Sequence, residues 1–167
     1  MNSILEAIEK RRSVIRFEST IVSDENIQEI LEAGRWAPSW LNSQPWRFIL
    51  IEDKATKEKI SDLAPTVYKL GMMDAPVCIA VFVDPKDDPY HFVEDGAAAT
   101  QNMALAAYRL GLGSSWIGIF NLKNEGKSAE NRINAMLGFY DSIIFDSRKS
   151  LEIVSRRAIP AAISYVV

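Results

Sequence analysis

Cysteine and histidine are almost absent from this sequence: among 167 residues there is one cysteine, Cys78, and one histidine, His91. A single cysteine cannot form an internal disulfide, which favours a reducing compartment such as the cytoplasm. Cys78 lies inside the apolar run 76–81, so we interpret it as a buried, inert thiol. The sequence has no paired Cys or His spacing, and we therefore predict no metal site.

The sequence also lacks the features of membrane, nucleic-acid-binding and phosphate-loop proteins. No window approaches the ~20 apolar residues of a membrane helix, and the charged N-terminus does not resemble a signal peptide. The net charge of −3 gives no reason to expect nucleic acid or an anionic membrane as a partner. The closest pair of glycines, Gly111 and Gly113, lacks the βαβ setting of a dinucleotide-binding loop.

What is present is the composition of an ordinary globular protein, with 48% hydrophobic and 25% charged residues. This length suits a single domain, 1–167, and no linker or repeat divides it. Periodicity and capping residues predict alternating helices and strands, which indicates an α/β or α+β layered domain. The predicted helices are 2–12, 23–36, 53–63, 91–110 and 128–136, the predicted strands are 46–51, 77–83, 113–120 and 158–167, and 65–75 is left open.

The most unusual stretch is residues 37–46, Ala-Pro-Ser-Trp-Leu-Asn-Ser-Gln-Pro-Trp. Its two prolines block helix continuation, and its Ser, Asn and Gln residues are denser than an ordinary turn requires. Two tryptophans, Trp40 and Trp46, flank most of these polar groups. Rigid, flat side chains beside hydrogen-bonding groups suit a planar ligand with a polar edge. The loop taken alone fits equally well as a surface turn anchored by a Trp.

A basic cluster, Arg11-Arg12-Ser13 followed by Arg16, lies at the end of the first predicted helix. Guanidinium groups bind phosphate oxygens in a fork, and Ser13 adds a donor, so the cluster is a candidate phosphate site. The alternative is that these arginines only stabilise the negative end of the helix dipole, and spacing alone favours that alternative.

The helix predicted at 91–110 has an uncharged second half, from Gly96 to Tyr108. A helix that is apolar around its whole circumference must be covered on all sides. In a domain this small, a second subunit is one way to provide that cover.

Four segments, taken in order, resemble the nitroreductase family of FMN-dependent oxidoreductases. They are the basic cluster; residues 37–46, similar to the family's Ala-Pro-Ser-x-x-Asn-x-Gln-Pro-Trp; Asp95-Gly96-Ala97 with Gln101-Asn102 and Ala106-Ala107; and Gly111-Leu112-Gly113-Ser114 with Trp116-Ile117-Gly118. The resemblance covers residues 1–120. It implies an α+β fold, an α/β/α sandwich whose mixed, mainly antiparallel sheet is flanked by helices. It also implies an intertwined homodimer with two FMN sites at the subunit interface.

The resemblance assigns site residues in three groups. The group expected at the FMN phosphate and ribityl chain is Arg11, Arg12 and Ser13, with Arg148 as a further phosphate contact. The group expected to reach the same flavin from the partner subunit is Pro38, Ser39, Trp40 and Asn42. The group expected beside the isoalloxazine, with a backbone N–H on flavin N5, is Trp116, Ile117 and Gly118. The tail after residue 138 departs from the family pattern, and one path for it is into the partner's sheet.

The implied activity passes electrons from NADH or NADPH through flavin N5 to a nitroaromatic, a quinone or a similar small acceptor, in a ping-pong cycle. The flavin carries this chemistry, so no side-chain acid or base is required and no catalytic residue is predicted. Two alternatives stay within flavin chemistry: a flavin-binding or sequestering protein without turnover, and a specialised family member such as a dehalogenase or flavin reductase. A third is a dimeric scaffold in which the basic cluster and the tryptophans are structural.

Overall fold

The structure is a computed structural model that describes residues 3–63, 66–137, 144–146, 153–154 and 162–166. Its helices are α1 (Ser3–Lys10), α2 (Asp24–Arg35), α3 (Lys54–Ser61), α4 (Thr66–Asp74), α5 (Phe92–Arg109) and α6 (Ala129–Leu137), with a 3-10 turn at Trp40–Asn42. Its strands are β1 (Trp46–Ile51), β2 (Cys78–Val83), β3 (Ile117–Gly118), β4 (Lys123–Asn124), β5 (Lys127–Ser128), β6 (Ile144–Asp146), β7 (Ile153–Val154) and β8 (Ala162–Val166). None of the helices it describes is long and apolar enough to cross a membrane.

Six strands form one sheet in the order β3-β8-β2-β1-β6-β7, and β4 and β5 form a separate hairpin. At its centre β1 and β2 pair along their full length, from Trp46 opposite Val83 to Ile51 opposite Cys78. Every strand pair described is antiparallel. This corrects the expectation of a mixed sheet, because the parallel pairing among the described residues is only an isolated bridge between Ser13 and Ser114.

Helices cover both faces of this sheet. On one face α2 and α5 pack over Trp46 and Phe48 of β1, together with Ile79, Val81 and Val83 of β2. On the other face α3, α4 and α6 pack over the intervening strand residues, including Ile49, Ile51, Ala80 and Phe82. Two apolar faces explain why β1 and β2 read as near-continuous hydrophobic runs rather than alternating ones. The layers are those of an α/β/α sandwich.

The predicted elements are largely present, with shorter ends. The helix predicted from residue 23 is capped there, because the Ser23 side chain accepts a hydrogen bond from the Asn26 N–H at 3.3 Å. Residues left open at 65–75 form α4, and the strand predicted at 113–120 is confined to Ile117–Gly118. The terminal strand is present as β8, which pairs with β2 and β3 of its own chain. This structure therefore places it in its own sheet and not in that of a partner.

Two helices leave apolar surface uncovered. On α1 the apolar face predicted from Ile4, Leu5 and Ile8 is exposed, at 65%, 53% and 54%, while Ala7 is buried. On α5 the uncharged half is buried at Ala99 and Met103 but only partly buried at several other positions, namely Ala97, Ala98, Gln101, Leu105, Ala106 and Tyr108. One chain by itself therefore does not provide the complete cover that the α5 sequence predicts.

Cys78 is buried at the start of β2, with 4% of its surface exposed. Burial disfavours the thiolate and raises the pKa of the Cys78 thiol to about 11. Because a protonated, inaccessible thiol is a poor nucleophile, the interpretation of Cys78 as a buried, inert residue is confirmed.

Candidate functional site

The basic cluster lies beside the strand that was predicted to line a flavin. The chain leaves α1 after Lys10, and Ser13 forms a parallel bridge with Ser114. The Val14 N–H donates to the Ser114 carbonyl at 2.9 Å, which fixes the register of the two segments. This bridge places Ser13, the last residue of the cluster, beside Ser114, two residues before Trp116. Two of the three predicted groups therefore lie next to each other within one chain.

The arginines of the cluster have different surroundings. The Arg12 guanidinium donates to the Glu9 and Arg11 carbonyls, at 2.5 and 2.8 Å, and so satisfies the C-terminal end of α1. The helix-end interpretation therefore describes Arg12 well. In the part of the chain that the structure describes, the guanidinium groups of Arg11 and Arg16 have no carboxylate or hydrogen-bond partner. Two cationic groups beside Ser13 are left for an anion.

The neighbouring strip, residues 115–118, is partly open. Ser115 is 7% exposed, and its Oγ has no hydrogen-bond partner among the described residues. A Cβ added at Gly118 would meet no atom within 4 Å, so the backbone there faces open space. Trp116 is half-buried and Ile117 is buried. An open backbone strip next to unpaired cations fits a flat ligand that ends in a phosphate, and FMN is such a ligand.

A cavity of about 460 Å³ adjoins this strip, and residues from the segment 14–22 form part of its wall. Ser114, Ser115 and Ile117 line it together with mostly apolar side chains from α4, β2 and the end of α5. At one place in its wall the backbone of α4 at Gly71 lies very close to the backbone at Ile15. A Cβ at Gly71 would lie 2.8 Å from the Ile15 carbonyl oxygen. Gly71 thus lets α4 set the position of the chain that carries Ser13 and Arg16.

The 37–46 loop is built as a closed, hydrogen-bonded unit at the other end of α5. Its chain turns sharply through three residues with positive φ, Leu41 (47°), Asn42 (56°) and Gln44 (50°). The Ser39 Oγ accepts a hydrogen bond from the Gln44 N–H at 3.0 Å, and the Gln44 amide donates to Asn42 Oδ1 at 3.0 Å. Pro38 and Asn42 are exposed, and Ser39 is half-buried.

Asp95 in the first turn of α5 anchors this loop. Its two carboxylate oxygens accept from the Trp40 N–H at 3.1 and 3.2 Å, and Oδ2 also accepts from the Ser43 hydroxyl at 3.4 Å. Asp95 appeared in the sequence only as part of a helix motif, and its contact with the loop was missed. An aspartate near a helix start usually indicates a cap, and the 55 residues between Trp40 and Asp95 hide the long-range contact.

An aromatic group stands beside the anchored loop. The Trp40 ring is 5.5 Å from the Tyr90 ring in an edge-to-face arrangement and 5.5 Å from the His91 ring. Trp40 is 39% exposed and Tyr90 72% exposed. His91 directly precedes the first residue of α5. Tyr90 was not singled out in the sequence, because the loop 84–90 shows only turn residues.

The loop and the basic cluster do not meet within one chain. Asp95 holds the loop at the first turn of α5, whereas Ser114 follows five residues after the last residue of that helix. The helix has 18 residues and rises about 1.5 Å per residue, so its ends are about 27 Å apart. Arg148, the remaining predicted phosphate contact, lies outside the described residues.

The model of the nitroreductase family matches residues 8–66 and 63–143. A protein of Archaeoglobus fulgidus, named provisionally as an NADH dehydrogenase/NAD(P)H nitroreductase, is 36% identical over 156 residues, covering 90% of this chain and 85% of that protein. A protein of Desulfovibrio desulfuricans, named provisionally as a nitroreductase and crystallised in complex with FMN, is 33% identical with a TM-score of 0.70, covering 99% of this chain and 86% of that one. A protein from Parabacteroides distasonis shares the fold at 23% identity and a TM-score of 0.79, over 99% and 85% of the two chains.

The chain belongs to the nitroreductase family. The resemblance read from four short segments is thereby confirmed, and the matched residues extend beyond position 120 to position 143.

Proposed function

We propose that this protein is an FMN-dependent oxidoreductase that takes electrons from NADH or NADPH and passes them to a small oxidised acceptor, such as a nitroaromatic or a quinone. One observation carries the proposal. Arg11 and Arg16, which lack partners among the described residues, lie on either side of Ser13, and Ser13 bridges Ser114 next to the open strip 115–118. The relatives named above support it, since one is a provisional NAD(P)H nitroreductase and another was crystallised with FMN.

In this proposal the phosphate of FMN is held by Arg11 and Ser13, with Arg12 as a secondary contact because its guanidinium already binds the end of α1. Trp116, Ile117 and Gly118 lie beside the isoalloxazine, and a backbone N–H there donates to it. FMN, when bound, supplies the electron transfer between the nicotinamide and the acceptor, while the chain binds and orients it. The open backbone at Gly118 leaves room for the ring to approach closely.

The second half of the site comes from a partner subunit in a homodimer. In one chain the loop that holds Pro38, Ser39, Trp40 and Asn42 is attached to the first turn of α5, whereas the cluster lies beyond its last residue, so the length of the helix, about 27 Å, separates them. Two copies packed so that their α5 helices run in opposite directions bring the loop of one copy to the cluster of the other. The exposed Ile4, Leu5 and Ile8 on α1 and the half-covered small residues of α5 are the apolar surface such an interface would bury.

The residues near the loop suit a small, flat acceptor. Trp40 and Tyr90 present exposed rings, and the connection 84–90 is short and held by Asp88, leaving little room for the large lid that a dehalogenase would use. The single buried thiol, Cys78, agrees with work in the reducing cytoplasm. Small acceptors reduced in that compartment are therefore the substrates we propose.

The proposal is tested on purified protein. The visible absorbance of oxidised flavin, with the released cofactor identified as FMN by mass, is expected at one FMN per chain in a dimer. Under anaerobic conditions either NADH or NADPH should bleach that absorbance, and a nitroaromatic or quinone should restore it. A protein that cannot be loaded with FMN would refute the flavin site, whereas bound FMN that neither nicotinamide reduces would show a flavin-binding protein without turnover.

A further inference from the structure

Two aspartates meet beneath the 37–46 loop. Asp88 is fully buried and Asp95 is 6% exposed, and the two side chains are within hydrogen-bonding reach of each other. Asp88 Oδ1 accepts from the backbone N–H groups of Tyr90 and His91, at 2.9 and 3.0 Å. Asp88 Oδ2, however, is buried without a hydrogen-bond donor among the described residues. A buried carboxylate oxygen without a donor is costly, so this atom needs a hydrogen-bond donor.

Asp95 is the group that can supply the proton. Its oxygens already accept from the Trp40 N–H and the Ser43 hydroxyl, and no cation in the described chain pairs with it. Two ionised carboxylates in contact inside a dry site repel each other strongly. A single proton on Asp95, donated to Asp88 Oδ2, removes the repulsion and satisfies the orphaned oxygen, while Asp95 still accepts from the loop.

We propose that Asp88 and Asp95 share one proton and act as a positioning pair that holds residues 39–43 in the conformation that contacts FMN. The inference rests on the proposed function for its consequence at the flavin, but the pair itself rests on the contacts above. Neither aspartate touches the proposed cofactor, because they act through the Trp40 backbone and the Ser43 side chain.

The charges around the pair are few. His91 lies close to Asp88, and the ion pair between Arg47 of β1 and Asp87, at 3.0 Å, is next to Asp88 in the chain. Glu94 on α5 is exposed and faces His91 at 3.9 Å. Burial raises the pKa of Asp95 and the Asp88 carboxylate raises it further, against the lowering effect of the Trp40 N–H. Although burial opposes it, the His91 and Tyr90 N–H groups lower the pKa of Asp88.

These opposite shifts define a range of pH in which the pair carries one proton. The range begins below the ordinary aspartate pKa of about 3.9, where Asp88 ionises, and ends above it, where Asp95 ionises. An acid whose pKa is raised in the folded protein contributes stability that is lost as the pH rises through that pKa. We therefore expect the loop to be held best at mildly acidic pH and to loosen as the pH rises past the pKa of Asp95.

The test uses three variants of the full chain: Asp95→Asn, Asp95→Ala and, as a matched control, Glu94→Gln, which removes one carboxylate from the same turn. In Asp95→Asn the amide oxygen accepts from Trp40 and the amide nitrogen donates to Asp88 Oδ2, which copies the protonated state without titrating. Backbone amide exchange of the peptide spanning residues 39–43 is followed from about pH 4 to about pH 9 in FMN-free protein, as protection relative to an unstructured peptide.

We expect wild type and Glu94→Gln to lose loop protection as the pH rises, Asp95→Asn to keep it throughout, and Asp95→Ala to lack it. FMN affinity should follow: Asp95→Ala weakens binding by about tenfold, and the ratio of Asp95→Asn to wild-type affinity increases with pH. Taking the ratio cancels the titration of the FMN phosphate itself.

Loop protection that is independent of pH in wild type, or an Asp95→Asn variant that behaves like Asp95→Ala, would overturn the shared proton. If Asp95→Ala does not fold, the comparison of Asp95→Asn with wild type still decides the question. A wild-type protein that binds no FMN would refute the proposed function alone, since the exchange experiment needs no cofactor.

Discussion

The two ends of α5 differ in how completely the protein satisfies its own polar groups. At the N-terminal end, the 37–46 loop is closed by its own hydrogen bonds and anchored to Asp95. At the C-terminal end, the guanidinium groups of Arg11 and Arg16 lack partners among the described residues, and the Ser115 Oγ is buried without one. The first region holds its backbone in place through these hydrogen bonds, and the buried atom without a partner beneath it, Asp88 Oδ2, is an acceptor. The second has unsatisfied donors, which is what a binding site for an anionic ligand requires.

The largest effect on FMN affinity is expected when hydrogen-bond donors are removed near the C-terminal end of α5. Arg11→Ala and Ser13→Ala should each weaken FMN binding, because each variant removes one charge-assisted hydrogen bond to the FMN phosphate. Such a bond contributes about 1.5–3 kcal/mol, roughly ten- to a hundredfold in affinity. Fluorescence titration of FMN-free protein measures the change. Lys10→Ala is the matched control, since this neighbouring cation already pairs with Glu6 at 2.9 Å and should leave binding unchanged. Equal losses in Arg11→Ala and Lys10→Ala would mean that only net charge matters.

Substitutions at Gly71 and Gly118 distinguish the packing that supports the C-terminal end of α5 from the surface that would face the ligand. Gly71→Ala places a methyl group 2.8 Å from the Ile15 carbonyl oxygen and should lower the free energy of unfolding by about 1–3 kcal/mol as the backbone shifts. Gly118→Ala meets no atom within 4 Å, so its unfolding free energy should stay within about 0.5 kcal/mol of wild type. Denaturant unfolding of the FMN-free proteins measures both. FMN affinity should fall in both variants; an unaffected Gly118→Ala would place the flavin elsewhere.

A smaller effect is expected at the closed end. Ser39→Ala removes the acceptor of the Gln44 N–H and should destabilise the loop by about 1 kcal/mol. Amide exchange of the 39–43 peptide should rise, whereas the affinity for free phosphate should be unchanged, because the proposed phosphate contacts are Arg11 and Ser13 and not residues of the loop. A matching loss of phosphate affinity would show that the two regions are not independent.

The smallest effect is expected from salt. Ionic strength screens exposed charges over a Debye length of about 10 Å at 0.1 M, so FMN affinity should decline a few-fold as salt is raised from low to physiological levels and beyond. The exchange of the 39–43 peptide should change less, because its hydrogen bonds to Asp95 are partly buried. If salt changed the exchange of the 39–43 peptide and left FMN affinity unchanged, the expected difference between the two ends of α5 would be reversed.

Local signals in the sequence predicted the central elements well. β1 and β2 were visible as apolar runs bounded by polar residues, and α2 was visible from its Ser23 cap and its apolar periodicity. Each of these depends on residues close together in the chain. The strand predicted at 113–120 was too long because only Ile117 and Gly118 find a neighbouring strand, and pairing is a property of the neighbour.

Other features could not be predicted because they join distant residues. The approach of Gly71 to Ile15 spans two helices and a strand, and nothing around either residue indicates it. The contact between Asp95 and the Trp40 N–H joins residues 55 positions apart. The exposure of Ile4, Leu5 and Ile8 was not foreseen either, since an apolar helix face looks the same whether a core or a second subunit covers it.

The sequence by itself determined the family, the elements at the centre of the sheet and the residue types of both ends of α5, because these are set by short-range pattern and by chemistry that each residue carries wherever it lies. Only the tertiary structure decided which of those residues meet. It placed Ser13 beside Ser114, attached the 37–46 loop to Asp95 and separated the two by the length of a helix. The physical reason is that contacts between distant segments depend on how the helices pack across the sheet, which no short window of sequence records.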